Sequence, residues 1–128
     1  MIQQVTKGIK ISVQSNFEGT FFREQNLYYA FSYKITIDNN SQETVQLISR
    51  KWHILDALNV REIVEGDGVV GEQPIIAPME RYSYKSGCHL RSPLGAMNGV
   101  YFMHCLSDNS TLEVTIPNFR LYTQFAQN

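Results

Sequence analysis

Tyr29-Ala30-Phe31-Ser32-Tyr33-Lys34-Ile35-Thr36-Ile37-Asp38 alternates without a break. Tyr29, Phe31, Tyr33, Ile35 and Ile37 fall on one side, and Ala30, Ser32, Lys34, Thr36 and Asp38 on the other. That is the period of two expected of a half-buried strand. The apolar side is aromatic and β-branched, the side-chain types that pack well on a pleated surface. Asn39-Asn40-Ser41-Gln42 then reads as a turn.

The same pattern extends outward in both directions. Ile9-Lys10-Ile11-Ser12-Val13-Gln14 alternates upstream. Val45-Gln46-Leu47-Ile48 opens a strand that continues through Trp52, Ile54 and Leu55. Val60–Val64 is a shorter strand, and Arg81-Tyr82-Ser83-Tyr84 alternates before Ser86-Gly87. Val100–Cys105 follows Gly99, Asp108-Asn109-Ser110 marks a hairpin turn, and Leu112–Ile116 alternates up to Pro117, which ends the strand or puts it at an edge. Phe119 and Leu121 extend the last segment. Residues 16–28 suit a turn or a short helix, and no window has a helical period. About seven or more short strands, with turn signals every ~8–12 residues, specify an all-β fold, an antiparallel β-sandwich. Residues 1–128 read as one domain, without repeat or linker.

Gly66-Asp67-Gly68-Val69-Val70-Gly71 matches the GxGxxG pattern of a dinucleotide-binding loop. That loop needs a helix opening out of it, so that the helix N-terminus meets the pyrophosphate. Here Glu72-Gln73-Pro74-Ile75-Ile76-Ala77-Pro78 follows. Two prolines remove backbone donors and bias the preceding residues toward extended geometry, so no helix starts.

Composition narrows the function classes. The chain has 128 residues, 43% hydrophobic and 12% aromatic, enough for a substantial core. A formal net charge of −1 gives no global basic field for nucleic acid or anionic lipid. No stretch approaches the ~20 apolar residues of a membrane span. The N-terminal residues carry no secretory pattern, so the expected location is cytoplasmic, with Cys88 and Cys105 as free thiols.

Several segments form an ordered set: residues 65–74, Ile76-Ala77-Pro78, Tyr82-Ser83-Tyr84-Lys85-Ser86-Gly87 and Ser92-Pro93-Leu94-Gly95-Ala96-Met97-Asn98-Gly99-Val100-Tyr101. They are flanked by Val45-Gln46-Leu47-Ile48-Ser49-Arg50-Lys51-Trp52 and Ile116-Pro117-Asn118-Phe119-Arg120-Leu121. Together these resemble the ApaG family, also called CorD, over nearly the whole chain. The sequence departs from the usual pattern at Met79, where the family commonly has Gly, and at His104-Cys105. The resemblance implies an immunoglobulin/fibronectin type III-like sandwich, in agreement with the strand pattern. It also implies an association with cobalt resistance and magnesium efflux. Related domains fused to other eukaryotic proteins imply a non-enzymatic protein-binding module.

Read from the residues themselves, the glycine segment has two roles open to it. Successive N–H groups of Gly66, Gly68 and Gly71 would form a concavity for phosphate or pyrophosphate. Arg50, Arg61 and Tyr84 would complete the site of a phosphate-ligand or nucleotide binder, or a hydrolase. Against this, Asp67 and Glu72 would repel an anion. In the other role the glycines supply positive φ angles and close backbone approach.

Cys88-His89 and His104-Cys105 form a mirrored pair. If their strands were adjacent, they would offer up to four soft ligands to a divalent metal such as zinc or cobalt. Neighbouring strand residues face opposite ways, however, and the spacing matches no usual zinc motif. The favoured reading is two small buried thiols and two ordinary histidines. Trp52, Tyr82, Tyr84 and Tyr101, flanked by Arg50 and Arg91, suit either an interaction hot spot or a core, with the core favoured for Trp52. No catalytic set and no cofactor is indicated. The expected partner is a protein, with a phosphate-containing small ligand as the alternative; neither nucleic acid nor membrane is expected. Exposed strand edges leave a homodimer open.

Overall fold

A computed structural model describes residues 1–58 and 60–123. The single-domain expectation for 1–128 also covers residues 59 and 124–128, which lie outside the described residues. Among the described residues nine strands follow in order: β1 (Ile2–Thr6), β2 (Ile9–Arg23), β3 (Asn26–Asn39), β4 (Val45–Asp56), β5 (Val60–Asp67), β6 (Ile75–Ile76), β7 (Arg81–Leu90), β8 (Leu94–Cys105) and β9 (Thr111–Tyr122). All pairings are antiparallel. One sheet runs β1-β2-β3-β7; the other runs β5-β4-β8-β9, with β6 also on β4. The chain is an all-β sandwich of the immunoglobulin/fibronectin type III kind. Among the described residues no helix is long and apolar enough to cross a membrane.

The alternation that opened the reading is the centre of the first sheet. Phe31, Tyr33, Ile35 and Ile37 are buried, and their polar neighbours face outward. Trp52 meets them from the other sheet. Its ring lies 5.4 Å from Tyr33, 6.4 Å from Tyr101 and 6.0 Å from Phe119. The Tyr33 contact joins the two sheets, as does Tyr33 with Phe119 at 5.8 Å, while Tyr101 and Phe119 flank Trp52 within its own sheet; each contact is worth ~0.5–1.5 kcal/mol beyond area burial. Asn39, fully buried, ties the end of β3 to the loops. Its amide donates to Glu43 O and Ile76 O at 2.8 and 2.9 Å, and its side-chain oxygen accepts from Ser41 N and Oγ at 3.0 and 2.6 Å.

Two departures from the sequence reading, and one choice it left open, have physical reasons. Residues 16–28 hold no helix. They are the distal half of a long β2–β3 hairpin, whose register shifts by one residue at a bulge between Phe17 and Gly19. Its turn is Glu24-Gln25, both in the left-handed region at φ 51° and 68°. Two consecutive positive φ angles are the signature of a type I′ hairpin, normally announced by Asn-Gly, and so the turn gave no sequence signal. Pro117 does not end β9; the other role open to it, an edge position, is the one found, since β9 is an edge strand and Pro117 lies at the β8–β9 bulge between Met97 and Gly99, where a ladder donor is dispensable. Finally, β7 continues past Gly87 to Leu90.

The two long sides of the sandwich differ. On one, β1 and β2 are stitched to β9: Thr115 N donates to Thr6 Oγ1 at 3.2 Å, and Ser15 Oγ to Arg120 O at 3.1 Å. On the other, β7 and β5 are both edge strands, and a cleft runs between them.

Candidate functional site

The glycine segment lies at the open side. β5 leaves β4 at the pair Ser49↔Asp67, and β6 rejoins β4 at Gln46↔Ile75. Residues 68–74 are the excursion between them. Gly68 N donates to Ile48 O at 2.7 Å, and Leu47 N to Pro74 O at 3.0 Å, lacing the loop to β4. Val69 is buried and plugs the core. Val69 and Glu72 exchange backbone hydrogen bonds of 2.8 and 2.9 Å around Val70 and Gly71, whose φ angles are 48° and 78°. The second half of GxGxxG is therefore a two-residue I′ turn. Gly68, at φ 60°, lets the Glu72 carbonyl approach so closely that a Cβ would lie 2.1 Å from its oxygen.

Arg50 holds this loop by its carbonyls. Its Nη1 donates to Asp67 O at 3.0 Å and to Gly68 O at 2.7 Å. The N–H groups of Gly68, Val69 and Glu72 are already bonded within the loop and to β4. The motif thus turns the Asp67 and Gly68 carbonyls toward a guanidinium, and these three N–H groups are not free for an anion.

The candidate ligand residues divide. Arg50, Gly71 and Tyr84 line one cleft of about 210 Å³, with Tyr33, Ser86 and Asp67. Gly66 lies beside the Arg50 guanidinium, where a Cβ would come within 3.0 Å of its nitrogens. Arg61 sits exposed on β5 opposite Leu55 and does not line the cleft. Tyr84 and Tyr101 share a short hydroxyl–hydroxyl hydrogen bond. Burial raises the pKa of Tyr84, Tyr101 and Tyr33, so all three stay neutral. At the mouth, Tyr82 Oη donates to Glu72 Oε2 at 2.9 Å and joins β7 to the loop.

The cysteine–histidine pairs are not brought together. Cys88 and His89 are on β7, His104 and Cys105 on β8, and these strands belong to different sheets. Cys88 points inward and donates to Met97 Sδ at 3.6 Å; burial pushes its thiol up to about 12. His89 faces outward against Phe21, with ring centroids 4.7 Å apart. Cys105 is buried beside Ser107 and Glu43. Among the described residues no three His, Cys, Asp or Glu side chains converge to hold a metal ion. Glu62 lines the cleft, whereas Glu65 pairs with Lys51 at 3.7 Å.

Of the proposed aromatic hot spot, Trp52 and Tyr101 are core residues. Arg91 lies elsewhere, at the end of the β2–β3 hairpin, in a cluster that the sequence did not reveal. The last three pairs of that hairpin, Phe21↔Tyr28, Phe22↔Leu27 and Arg23↔Asn26, have no third strand beside them. The Phe21 and Tyr28 rings stack at 5.4 Å and 14°. Arg23 lies 5.4 Å from the Phe21 ring centre and 5.9 Å from that of Tyr28, and Arg91 lies 5.2 Å from Tyr28. Arg91 Nη2 also donates to Asn26 Oδ1 at 3.2 Å. Phe22, on the other face of the hairpin, is 74% exposed. The signal was present in Phe21-Phe22-Arg23 and Leu27-Tyr28-Tyr29, but the unusual turn hid the pairing.

Comparison with known proteins agrees with this architecture. The family model for the ApaG domain matches residues 20–105. A Brucella anthropi protein named ApaG is 45% identical over 121 residues, 94% of this chain and 92% of its own length. Another of that name, from Methylobacterium sp., is 40% identical with the same coverage. Among solved structures, the structural-genomics target SoR45 superposes with a TM-score of 0.87 at 37% identity, over 91% of this chain and 88% of its own. A Bordetella pertussis protein given the name ApaA superposes at 0.80 and 35%, over 91% and 94%. The glycine turn, the sandwich and the matches across both sheets converge, and the chain belongs to the ApaG family.

Proposed function

We propose that the protein is a non-enzymatic binding module that recognises a partner protein through the distal β2–β3 hairpin. It would act in the cytoplasm, in the divalent-cation setting of cobalt resistance and magnesium efflux that the family resemblance implies. One observation carries the reading. The hairpin extends beyond its flanking strands and presents Phe22 at 74% exposure on one face and an aromatic pair capped by two arginines on the other. A two-stranded ribbon is marginal by itself, and large exposed aromatics with Arg are the residues enriched at binding hot spots. Two considerations favour binding over catalysis. The Cys88 thiol is buried, with its pKa raised, and its sequence neighbour His89 faces the opposite way.

Affinity capture from native cell extract tests the proposal, comparing the wild-type chain with a Phe22→Ala/Tyr28→Ala variant of verified melting temperature. A species retained by the wild type and lost from the variant is expected. Retention of nothing specific, or equal retention by both, contradicts it.

A second reading, a small phosphate-bearing ligand in the cleft, is favoured by the meeting of Arg50, Gly71 and Tyr84. Asp67 in the same lining and the prior use of Arg50 by the loop carbonyls weaken it. Amide shifts at Gly66, Gly68 and Gly71 on addition of pyrophosphate would support it; unchanged signals at millimolar ligand would end it.

A further inference from the structure

The outer face of the β1-β2-β3-β7 sheet carries a charge pattern that the rest of the molecule does not explain. Lys34 on β3 stands directly across from Lys85 on β7, and its other cross-strand neighbour is Gln14. Like charges directly opposite each other on a sheet are destabilising. Neither acid nearby forms an ion pair with these lysines: Asp38 is bound by Arg81 at 2.7 Å, and Glu18, still charged, accepts the Ser32 hydroxyl at 2.5 Å. Among the described residues the only ion pairs are Lys51–Glu65 and Arg81–Asp38. Arg23, Lys34, Lys85 and Arg91 therefore have no ion-pair partner among the described residues, on a chain whose net charge is −1.

The two arginines are also positioned in advance. Arg23 and Arg91 rest on the Phe21–Tyr28 stack. A guanidinium over an aromatic ring keeps its in-plane N–H fork for bidentate carboxylate binding and has less freedom left to lose. From Tyr28 to Lys34 along β3, six residues at ~3.3 Å each give about 20 Å, the reach of an extended segment of about six residues.

We propose that this face binds an acidic polypeptide segment, with Arg23 and Arg91 as carboxylate anchors and Lys34 and Lys85 as an electrostatic track beside them. The inference rests on the protein-binding reading above and gives that partner a chemistry. Carboxylates of a polypeptide fit better than single-stranded nucleic acid. Base stacking needs open ring faces, whereas Phe21 and Tyr28 already stack on each other under the arginines.

The test uses fluorescence anisotropy with labelled octaglutamate, octaglutamine and an oligothymidylate of equal charge. Saturable binding of octaglutamate alone is expected. It should weaken steeply with salt, at least about tenfold in Arg23→Gln/Arg91→Gln, and further when Lys34→Gln/Lys85→Gln is added. These positions are exposed, and removing the Lys34–Lys85 repulsion should leave the melting temperature unchanged or raised, so loss of binding would not reflect unfolding. No saturable octaglutamate binding, binding undiminished in the fourfold variant, or preference for the oligothymidylate overturns the inference. Extract capture with the same variant separates the two ideas. A partner lost with Phe22→Ala/Tyr28→Ala but kept by the charge variant overturns the acidic-segment inference and leaves the binding module standing.

Discussion

Met79 shows most directly how one residue reports on the family pattern. Glu80 N donates to Ala77 O at 3.0 Å, closing the turn Ala77-Pro78-Met79-Glu80. Pro78 at the second position and a φ of 69° at Met79 make it a type II turn, whose third position favours glycine. Met79 is 82% exposed, so its side chain contributes almost no packing. A left-handed non-glycine residue costs ~1–2 kcal/mol, partly offset by the greater unfolded-state entropy of glycine. Met79→Gly should therefore raise stability by up to about 1 kcal/mol in urea titration. Gly68→Ala should do the opposite. Its Cβ would stand 2.1 Å from a backbone oxygen at a φ of 60°, and a loss above about 2 kcal/mol is expected. That Met79 departs from the family was legible in the sequence; that the departure falls on a strained backbone position was not, because φ is a property of the closed turn.

At the scale of elements, the legible strands were those whose alternation is driven by burial on one face. β3 and β4 were found nearly to their ends because Phe31 to Ile37 and Val45 to Trp52 line the core. β1 and β6 escaped. Of the five residues of β1, four are exposed and the last is half-buried, and β6 is only two residues long. The distal hairpin escaped for a related reason: both of its faces reach solvent, and its turn is Glu24-Gln25. Replacing Glu24-Gln25 with Asn-Gly should relieve two left-handed non-glycine angles. Hydrogen exchange at residues 20–28 is expected to slow, with the global melting temperature raised slightly. Faster exchange would mean that the turn is held by contacts other than its own backbone preference.

At the scale of the whole molecule, the open side holds four tyrosine hydroxyls and one thiol whose neutral forms burial favours, with Glu72 adding to the effect at Tyr82. Their folded pKa values lie above the ordinary 10.0 of Tyr33, Tyr82, Tyr84 and Tyr101 and the ordinary 9.0 of Cys88. Unfolded, these groups lose protons first as pH rises. The unfolded state then binds fewer protons than the folded one, and stability falls with increasing pH. From neutral pH, stability should be flat up to about pH 9 and decline above it, with the tyrosinate absorbance of these hydroxyls appearing together with unfolding. Ionisation of all seven tyrosines near pH 10 in a still-folded chain would contradict the burial described here. The cleft itself was half legible. Arg50, Gly71 and Tyr84 were named from the sequence and do meet there, but Arg61 was not separable from them, because a strand's facing is fixed only by its register.

The central claim is that the projecting hairpin is where this protein meets another. A photo-reactive amino acid placed at Phe22, and in parallel at Asn98 on the outer face of the other sheet, tests it inside cells. The account predicts a discrete cross-linked protein adduct from position 22 and none from position 98. The absence of any adduct at position 22, or the same adduct from both positions, would contradict it.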